Sequence, residues 1–593
     1  MSEQGAGGVK PGNGGRSMQA QAGQGETGGQ PSTADEQAGQ DKKPGARTRS
    51  EPSGVPVRDV RAGWGRYLVA PRPLGLLAGG VPPIEAGALF ALLEEDPDVE
   101  PLAQVRPARS RGLGAIAEPH PACPPVAVVA MPNERARALA TNPQVVVEID
   151  QPLTYSPMTA GALGAVVPVT DPALAVMLEE PGHLTLRVMG SDGRPVPDAH
   201  VWAIGGAVVH GITGPEGQVS LTLAGDTPDT LQAIHVRPVS GYWPVRTSAP
   251  HMGGGETVIE VPALADTLEN FPDQAHTGWG VQAMRLHQIP PTYRGHGIKI
   301  ALLDSGVNTA HPDLKSTVQT GHDFTTTDGS DTWRSDLTGH GTWCAGVIAA
   351  ADNRTGIASE AEIHALKLFP GGHVSDLLQA MDYCIGHDID IAQISLAYTV
   401  PSQLVAWKLL DAHAAGITLI APAGDTAGPV NQPAALPGVL SVGAIAHTGT
   451  SPHTSHTQMQ PPWPGPHPAP FTPTGPGVDL VAPGAAVITT ALGDGYTPAD
   501  GTTIAAAHVT GLAALLLAHH DHLRTHALPR TAARADHLHT LLRTACRPLP
   551  YADPARSGAG IADAPTALGI FASWRPESPV ERLHTSAGSY PRP

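Results

Sequence analysis

The chain has 593 residues, with 36 Lys and Arg against 54 Asp and Glu, for a formal charge of −18. That balance excludes a nucleic-acid partner, because phosphate binding needs clustered basic side chains; the excess of acid serves solubility instead. Four cysteines in a chain this long make no disulfide scaffold, and no C-x-x-C spacing marks a zinc site.

Residues 1–62 are rich in Gly, Gln, Ser and Pro and carry no aromatic side chain. Such a segment cannot bury enough apolar surface to offset its ordering entropy, so it reads as a disordered tail. It holds no apolar stretch of the kind a secretory signal needs. The longest apolar run, residues 509–518, is shorter than the ~18–20 residues that cross a bilayer. The expectation is a cytoplasmic protein with no membrane partner, leaderless secretion being the other route.

Three folded blocks follow. In the first, residues 63–160, the run VAVVAM (126–131) predicts a strand. Pro132-Asn133-Glu134 opens a helix to Leu139, with proline where a missing N–H does no harm. QVVVEI (144–149) returns as a strand. In the second, residues 180–262, Leu184, Leu186 and Val188 alternate with polar neighbours before a Ser191-Asp192-Gly193 turn. Short strands at 196–203, 219–223 and 234–236 complete a pattern that predicts a β-sandwich. The third, residues 270–571, alternates strands with helices, as a doubly wound parallel sheet requires. Its strands are expected at 298–303, 362–368, 389–396, 417–421, 439–442 and 478–481. Its helices are expected at 404–414 and from about Thr503. Residues 572–593 form a second disordered tail.

Acyl transfer by a hydroxyl needs a base, a group that orients the base, and donors for the oxyanion. Asp304 in ALLDSGVN ends a predicted strand, where an acid points into the crevice above a parallel sheet, and HPDL follows at His311. His340 lies in GHGTWCAG, where the flanking glycines let a helix begin tightly around the imidazole. These two motifs resemble the paired aspartate and histidine motifs of the subtilases, the subtilisin-like serine peptidases. GIASEAEIHALKLF (356–369), PAALPGVLSVGA (433–444), GPGVDLVAPG (475–484) and GAGIADAPTAL (558–568) resemble later family segments in the same order, over about 300 residues. The resemblance implies an α/β subtilisin-like fold and peptide-bond hydrolysis. It also implies a polypeptide held along Ser395, Leu396 and Ala397 by β-augmentation.

Within that resemblance the first block is similar to the second half of the inhibitory propeptides that precede subtilases; an unrelated small α+β domain fits the same pattern. DGRPVPDAHVWA and TGPEGQVSL resemble the carboxypeptidase-regulatory-like sandwich modules, which act as spacers or binding platforms. No cofactor is implied. The resemblance allows a structural calcium, as in many family members, but such sites are loop-built and none is assigned to residues here, so the metal-ligand set is none.

Two positions depart from the family. Its serine, in GTS-M-A, aligns with Thr503 in GTTIAAAHVTG, and Ala507 replaces a proline. The γ-methyl of threonine stiffens χ1 and crowds the line of attack. The family's oxyanion asparagine aligns with Asp425 in APAGDTAG, where a carboxylate repels the developing charge unless protonated. The related sedolisins use aspartate there and work in acid. Ala397-Tyr398 stands for the usual Gly-Gly, and Trp343 for a frequent second histidine. The reading is a peptidase-fold protein, impaired or inactive, that keeps a peptide cleft for a polypeptide or for its own propeptide-like block, with residues 151–158 lying uncleaved in that cleft. The alternatives are a slow or acid-active endopeptidase using Thr503, His340 and Asp304, and a non-enzymatic scaffold built on the sandwich. The histidines of loop 447–468 (His447, His453, His456, His467) fit a solvated loop, and those at 519–522 would suit a helix C-terminus as cations.

Overall fold

The structure is a computed structural model and describes residues 63–77, 79–108, 123–154, 182–223, 225–248, 256–268, 271, 278–326, 332–351, 356–398, 400–452, 465–525, 529–550 and 553–570. Both tails lie outside the described residues, as do His453 and His456.

The first block runs β1 (Trp64–Pro71), α1 (Ala86–Glu94), β2 (Glu100–Val105), β3 (Val126–Pro132), α2 (Asn133–Ala140) and β4 (Val145–Ile149). The strands pair antiparallel in the order β2-β3-β1-β4, the ferredoxin-like arrangement of a β-α-β-β-α-β chain. Pro132 caps α2 from the end of β3 rather than sitting inside the helix.

Among the described residues the second block has seven strands: β5 (Gly182–Gly190), β6 (His200–Ile204), β7 (Val208–Ile212), β8 (Gln218–Leu223), β9 (Ala233–Arg237), β10 (Val245–Ser248) and β11 (Thr257–Val261). They form sheets β10-β9-β6-β7 and β11-β5-β8. Leu184, Leu186, Val188, Val201, Leu221 and Val236 pack between them. Gly193 makes the predicted turn with φ 76°.

The third block contains β12 (Lys299–Asp304), β13 (Thr320–Asp323), α3 (His340–Ala349), β14 (Glu362–Lys367), α4 (Val374–Gly386), β15 (Ile391–Ile394), α5 (Gln403–Ala414), β16 (Thr418–Pro422) and β17 (Val439–His447). β18 (Pro466–Pro468), β19 (Leu480–Pro483), the hairpin β20 (Val487–Thr490) and β21 (Tyr496–Ala499), α6 (Thr502–His519) and α7 (Ala532–Thr544) follow. The sheet runs β13-β14-β12-β15-β16-β17-β18, with β19 also on β17; all these pairs are parallel except β17–β18. This is the α/β subtilisin-like fold.

Helix α6 extends the apolar run expected at 509–518 to 18 residues, enough by length and composition to cross a membrane. Yet 89% of it is buried inside the protein, where Ile504, Leu512, Leu515 and Leu516 fill the centre of the largest core. At its C-terminus the cationic histidine expected from sequence is replaced by a neutral one. His519 stacks on Tyr293 at 4.2 Å, and its Nε2 accepts the N–H groups of Arg294 and Gly295. A nitrogen that accepts carries no proton, and burial pushes the His519 pKa down.

The first block buries both faces of its sheet. Val69, Val129 and Met131 meet Leu89, Phe90 and Leu93 of α1. Leu68, Ala70, Val128 and Val146 on the other face share a core with Leu377, Leu378 and Met381 of α4 and with Leu404, Val405 and Leu409 of α5. That is why β3 is apolar at successive positions rather than at alternate ones.

Candidate active site

The C-terminal ends of β12 and β15 and the N-terminal turns of α3 and α6 converge on one buried place. Asp304 closes β12, and its Oδ1 accepts from the backbone N–H of Ser305 at 2.7 Å and from Nδ1 of His340 at 2.8 Å. His340 opens α3 behind Gly339, which holds φ 83°. The glycine after it is required by space: a Cβ on Gly341 would lie 2.1 Å from the carbonyl oxygen of Gly306 and 3.2 Å from Cβ of Asp304. The second glycine of GHG therefore lets the helix approach the strand end closely enough for the Asp304–His340 bond.

Two residues that sequence reasoning missed hold this turn. Asp336 is buried and accepts the N–H groups of Thr338, Gly339 and Thr342, at 2.8–3.0 Å, and the hydroxyls of Ser305 and Thr342 at 2.9 and 2.7 Å. Ser305 passes the link on, its Oγ accepting the N–H of Gly341 at 3.0 Å. The legible signal was an acid four residues before the histidine, placed to serve the orphan donors of a helix start. Burial pushes the Asp336 carboxyl above its ordinary range, although these bonds pull against it.

Thr503 lies in the first turn of α6, buried, one residue beyond Thr502. Thr502 Oγ1 accepts from the N–H of Gly424 at 3.1 Å. The neighbouring Asp425, also buried, turns its carboxylate onto the helix start, with Oδ1 accepting the Thr502 N–H at 2.7 Å. Gln393, in β15, ties the cleft wall to this turn: its Nε2 donates to Ser395 Oγ at 3.1 Å and reaches the Thr503 carbonyl at 3.5 Å.

Electrostatics join the two halves. Burial alone would pull the His340 pKa down. The charge of Asp304 and its hydrogen bond, followed by the charges of Asp336 and Asp425, outweigh it, so the net shift is upward. Asp425 thus favours the imidazolium, the form unable to accept a proton from a nucleophile.

The cleft wall differs from the expected strand 389–396. Strand β15 stops at Ile394, and Ser395 and Leu396 follow it outside any regular ladder. The pairing falls on Ala397, which exchanges two backbone hydrogen bonds with Thr154: Thr154 N–H to Ala397 O at 3.1 Å and Ala397 N–H to Thr154 O at 2.7 Å. On the other side, Leu153 N–H reaches Gly372 O at 2.9 Å and Val374 N–H reaches Gln151 O at 3.0 Å. Residues 151–154 are therefore laid as an extended segment between two backbone walls; residues 155–158 lie outside the described residues. Just before that segment, Asp150 accepts the N–H and hydroxyl of Ser375 at the start of α4, at 2.8 and 2.9 Å. Glu148 accepts the Ser402 hydroxyl and the Gln403 N–H at the start of α5, at 2.6 and 2.8 Å. Two carboxylates from the first block thus cap two helices of the third.

Among the described residues, one group offers a metal three donors: Asp304, His340 and Cys344, whose ligand atoms lie within 4.8 Å of one another. Burial pushes the Cys344 thiol well up, so it stays protonated. A protonated thiol and an imidazole bonded to a carboxylate cohere without a cation, so the trio fits a hydrogen-bonded site better than a metal centre.

The model of the Subtilase family matches residues 295–563 of this chain. M-protease of Shouchella clausii is 33% identical over 300 residues, which span 49% of this chain and 67% of that protein. Subtilisin Savinase of Lederbergia lenta is 33% identical over 248 residues, 40% of this chain and 83% of its own length. Subtilisin E of Bacillus subtilis is 30% identical over 251 residues, 40% and 60% respectively. Among solved structures, an S41 psychrophilic protease shares 28% identity at a TM-score of 0.41, over 49% of this chain and 98% of that one.

Proposed function

The chain belongs to the subtilase family of serine-type peptidases, and from that premise we propose that its hydrolytic chemistry is impaired while its peptide groove still works as a binding site. One contact carries the proposal: the Asp425 carboxylate on the Thr502 N–H, at the start of the helix that bears Thr503. A helix N-terminus attracts an anion. In a working acyl-transfer site that field, with an amide donor beside it, is kept for the oxyanion of the transition state. Here a resident carboxylate already takes it, and a second negative charge forming nearby meets repulsion. Thr503 adds a methyl group at the atom that must attack.

The groove's ligand, on this reading, is the chain's own segment 151–154, anchored by the first block through Asp150 and Glu148. The block acts as a tethered occupant, and other extended polypeptides must displace it.

A second reading, a slow or acid-active endopeptidase, draws on the intact Asp304–His340 pair. Acid that protonated Asp425 and turned it into a donor would also protonate His340, whose pKa is already raised. The two requirements oppose each other, which favours the impaired site.

A fluorophosphonate probe with intact mass measurement tests this. The purified protein is expected to keep its full mass and to take up no label. Phosphonylation of Thr503, or spontaneous loss of the first 150 or so residues, would refute the proposal.

A further inference from the structure

The sandwich touches the site rather than merely spacing the blocks. Arg237, the last residue of β9, places its guanidinium carbon 4.4 Å from the centroid of the Trp343 ring. Trp343 is one turn beyond His340 on α3, and its ring meets the His340 imidazole edge-on, with centroids 5.8 Å apart and planes at 65°. The same ring crosses the helix start: a Cβ on Gly339 would lie 3.2 Å from its Cζ2.

A second contact reaches the same turn through the hairpin. The sandwich's Gly241 donates its N–H to the Tyr496 carbonyl at 2.8 Å. Trp243 and Leu264 pack with Ile488 and Tyr496. From β20, Thr489 Oγ1 donates to the Trp343 carbonyl and Thr490 Oγ1 to the Thr342 carbonyl, both at 2.8 Å. The backbone of the His340 turn is thus gripped by a hairpin on which the sandwich rests, and its aromatic side chain is covered by a cation from the sandwich itself.

We propose that Arg237 is a positioning residue for His340: its stacking on Trp343 fixes the ring against which the imidazole is set, and so makes the β-sandwich part of the peptidase site. A guanidinium is planar and stacks on an aromatic face while staying charged, so it holds the ring in place without competing for the imidazole nitrogens. Were Trp343 free to turn, His340 would lose one wall of its socket, and the Asp304 bond would hold a less closely defined ring. This rests on the reading of His340 as the site's imidazole, but not on whether Thr503 reacts.

The test uses the full chain labelled with 15N-histidine and follows the proton on His340 Nδ1 that Asp304 binds. In Arg237→Ala its exchange with water should rise about tenfold, the scale of one desolvated cation–π contact, and its resonance should broaden. Arg237→Lys, which keeps a cation over the ring but loses the planar stack, should restore part of the protection, an outcome that loss of sandwich stability alone would not give. Unchanged exchange in Arg237→Ala, with the same thermal unfolding as the parent, would overturn the inference; so would equal loss in the Ala and Lys variants. Labelling of Thr503 by a fluorophosphonate would sink the proposed impairment yet leave this measurement untouched, so the two fail separately.

Discussion

Restoring Ser at 503 and Asn at 425 together should turn this groove into a peptidase. Asp425→Asn keeps the shape of the side chain, removes the negative charge from the α6 start, and supplies an N–H where a developing oxyanion needs one. In subtilisin itself, loss of the equivalent amide donor costs about 10²–10³ in kcat, so its return is worth at most that range here. Thr503→Ser deletes the γ-methyl; misplacement of a nucleophile by about 1 Å costs ~100-fold. The product, about 10⁴–10⁵, is an upper bound because both groups act on one transition state. On the proposed reading, segment 151–154 competes for the groove at an effective concentration of about the mM range, as short tethers do. The assay therefore carries Thr154→Pro, which removes the N–H that reaches Ala397 O. Hydrolysis of a chromogenic peptide is then measured from pH 5 to 9. Asp425→Asn also removes a charge that raises the His340 pKa, so the acidic limb of kcat/KM should move to lower pH than in Thr503→Ser alone. A double variant as inert as the parent, with the segment displaced, would refute the reasoning, as would a parent that already matches it.

Two further outcomes follow from the carboxylates. Asp150→Ala should strip amide-exchange protection from Ser375 and leave Gln403 unaffected, while Glu148→Ala does the reverse; the lost Glu148 cap costs about 1–2 kcal/mol, and Asp150→Ala costs more because it also strands Arg66, which pairs with Asp150 at 2.7 Å. Loss of protection at both sites in either variant would count against separate caps. Asp563 is paired with Arg285 (2.6 and 2.5 Å) and Arg547 (2.8 Å). Burial alone would raise its pKa, but the hydrogen bonds from Arg285 and Thr566 and the two arginine charges hold it below the ordinary carboxylate range. An acid depressed in the folded state stabilises above its unfolded pKa, near 4, and loses that contribution as pH falls through the folded value. Asp563→Ala, which strands two arginines, should cost about 3–5 kcal/mol at pH 7, and its deficit against the parent should shrink in acid; a deficit constant from pH 7 to pH 3 would contradict the pairing.

Periodicity carried the parallel sheet, because strands buried on both faces read as short apolar runs between helical stretches. The motifs at Asp304, His340, Asp425 and Thr503 could be located because each depends on glycines or strand ends that leave a local mark, such as the space that only Gly341 can vacate. Strands β7, β10 and β11 were not legible, being short segments whose apolar positions gain meaning only against a facing sheet. For Asp336 the spacing before His340 marks a helix start, but for it and for Ser305 the role rests on which amide each accepts, and no local pattern names that amide.

What the chain dictated by itself was which chemical groups could meet: a carboxylate, an imidazole, a hydroxyl with an extra methyl, and an acid in place of an amide. Only the tertiary structure decided that Asp425 spends its charge on the Thr502 N–H, that residues 151–154 pair with the backbone of Gly372 and Ala397, and that Arg237 covers Trp343. Each of those contacts joins residues 77 or more positions apart, and no local pattern records which distant surface a side chain will meet once the cores have closed.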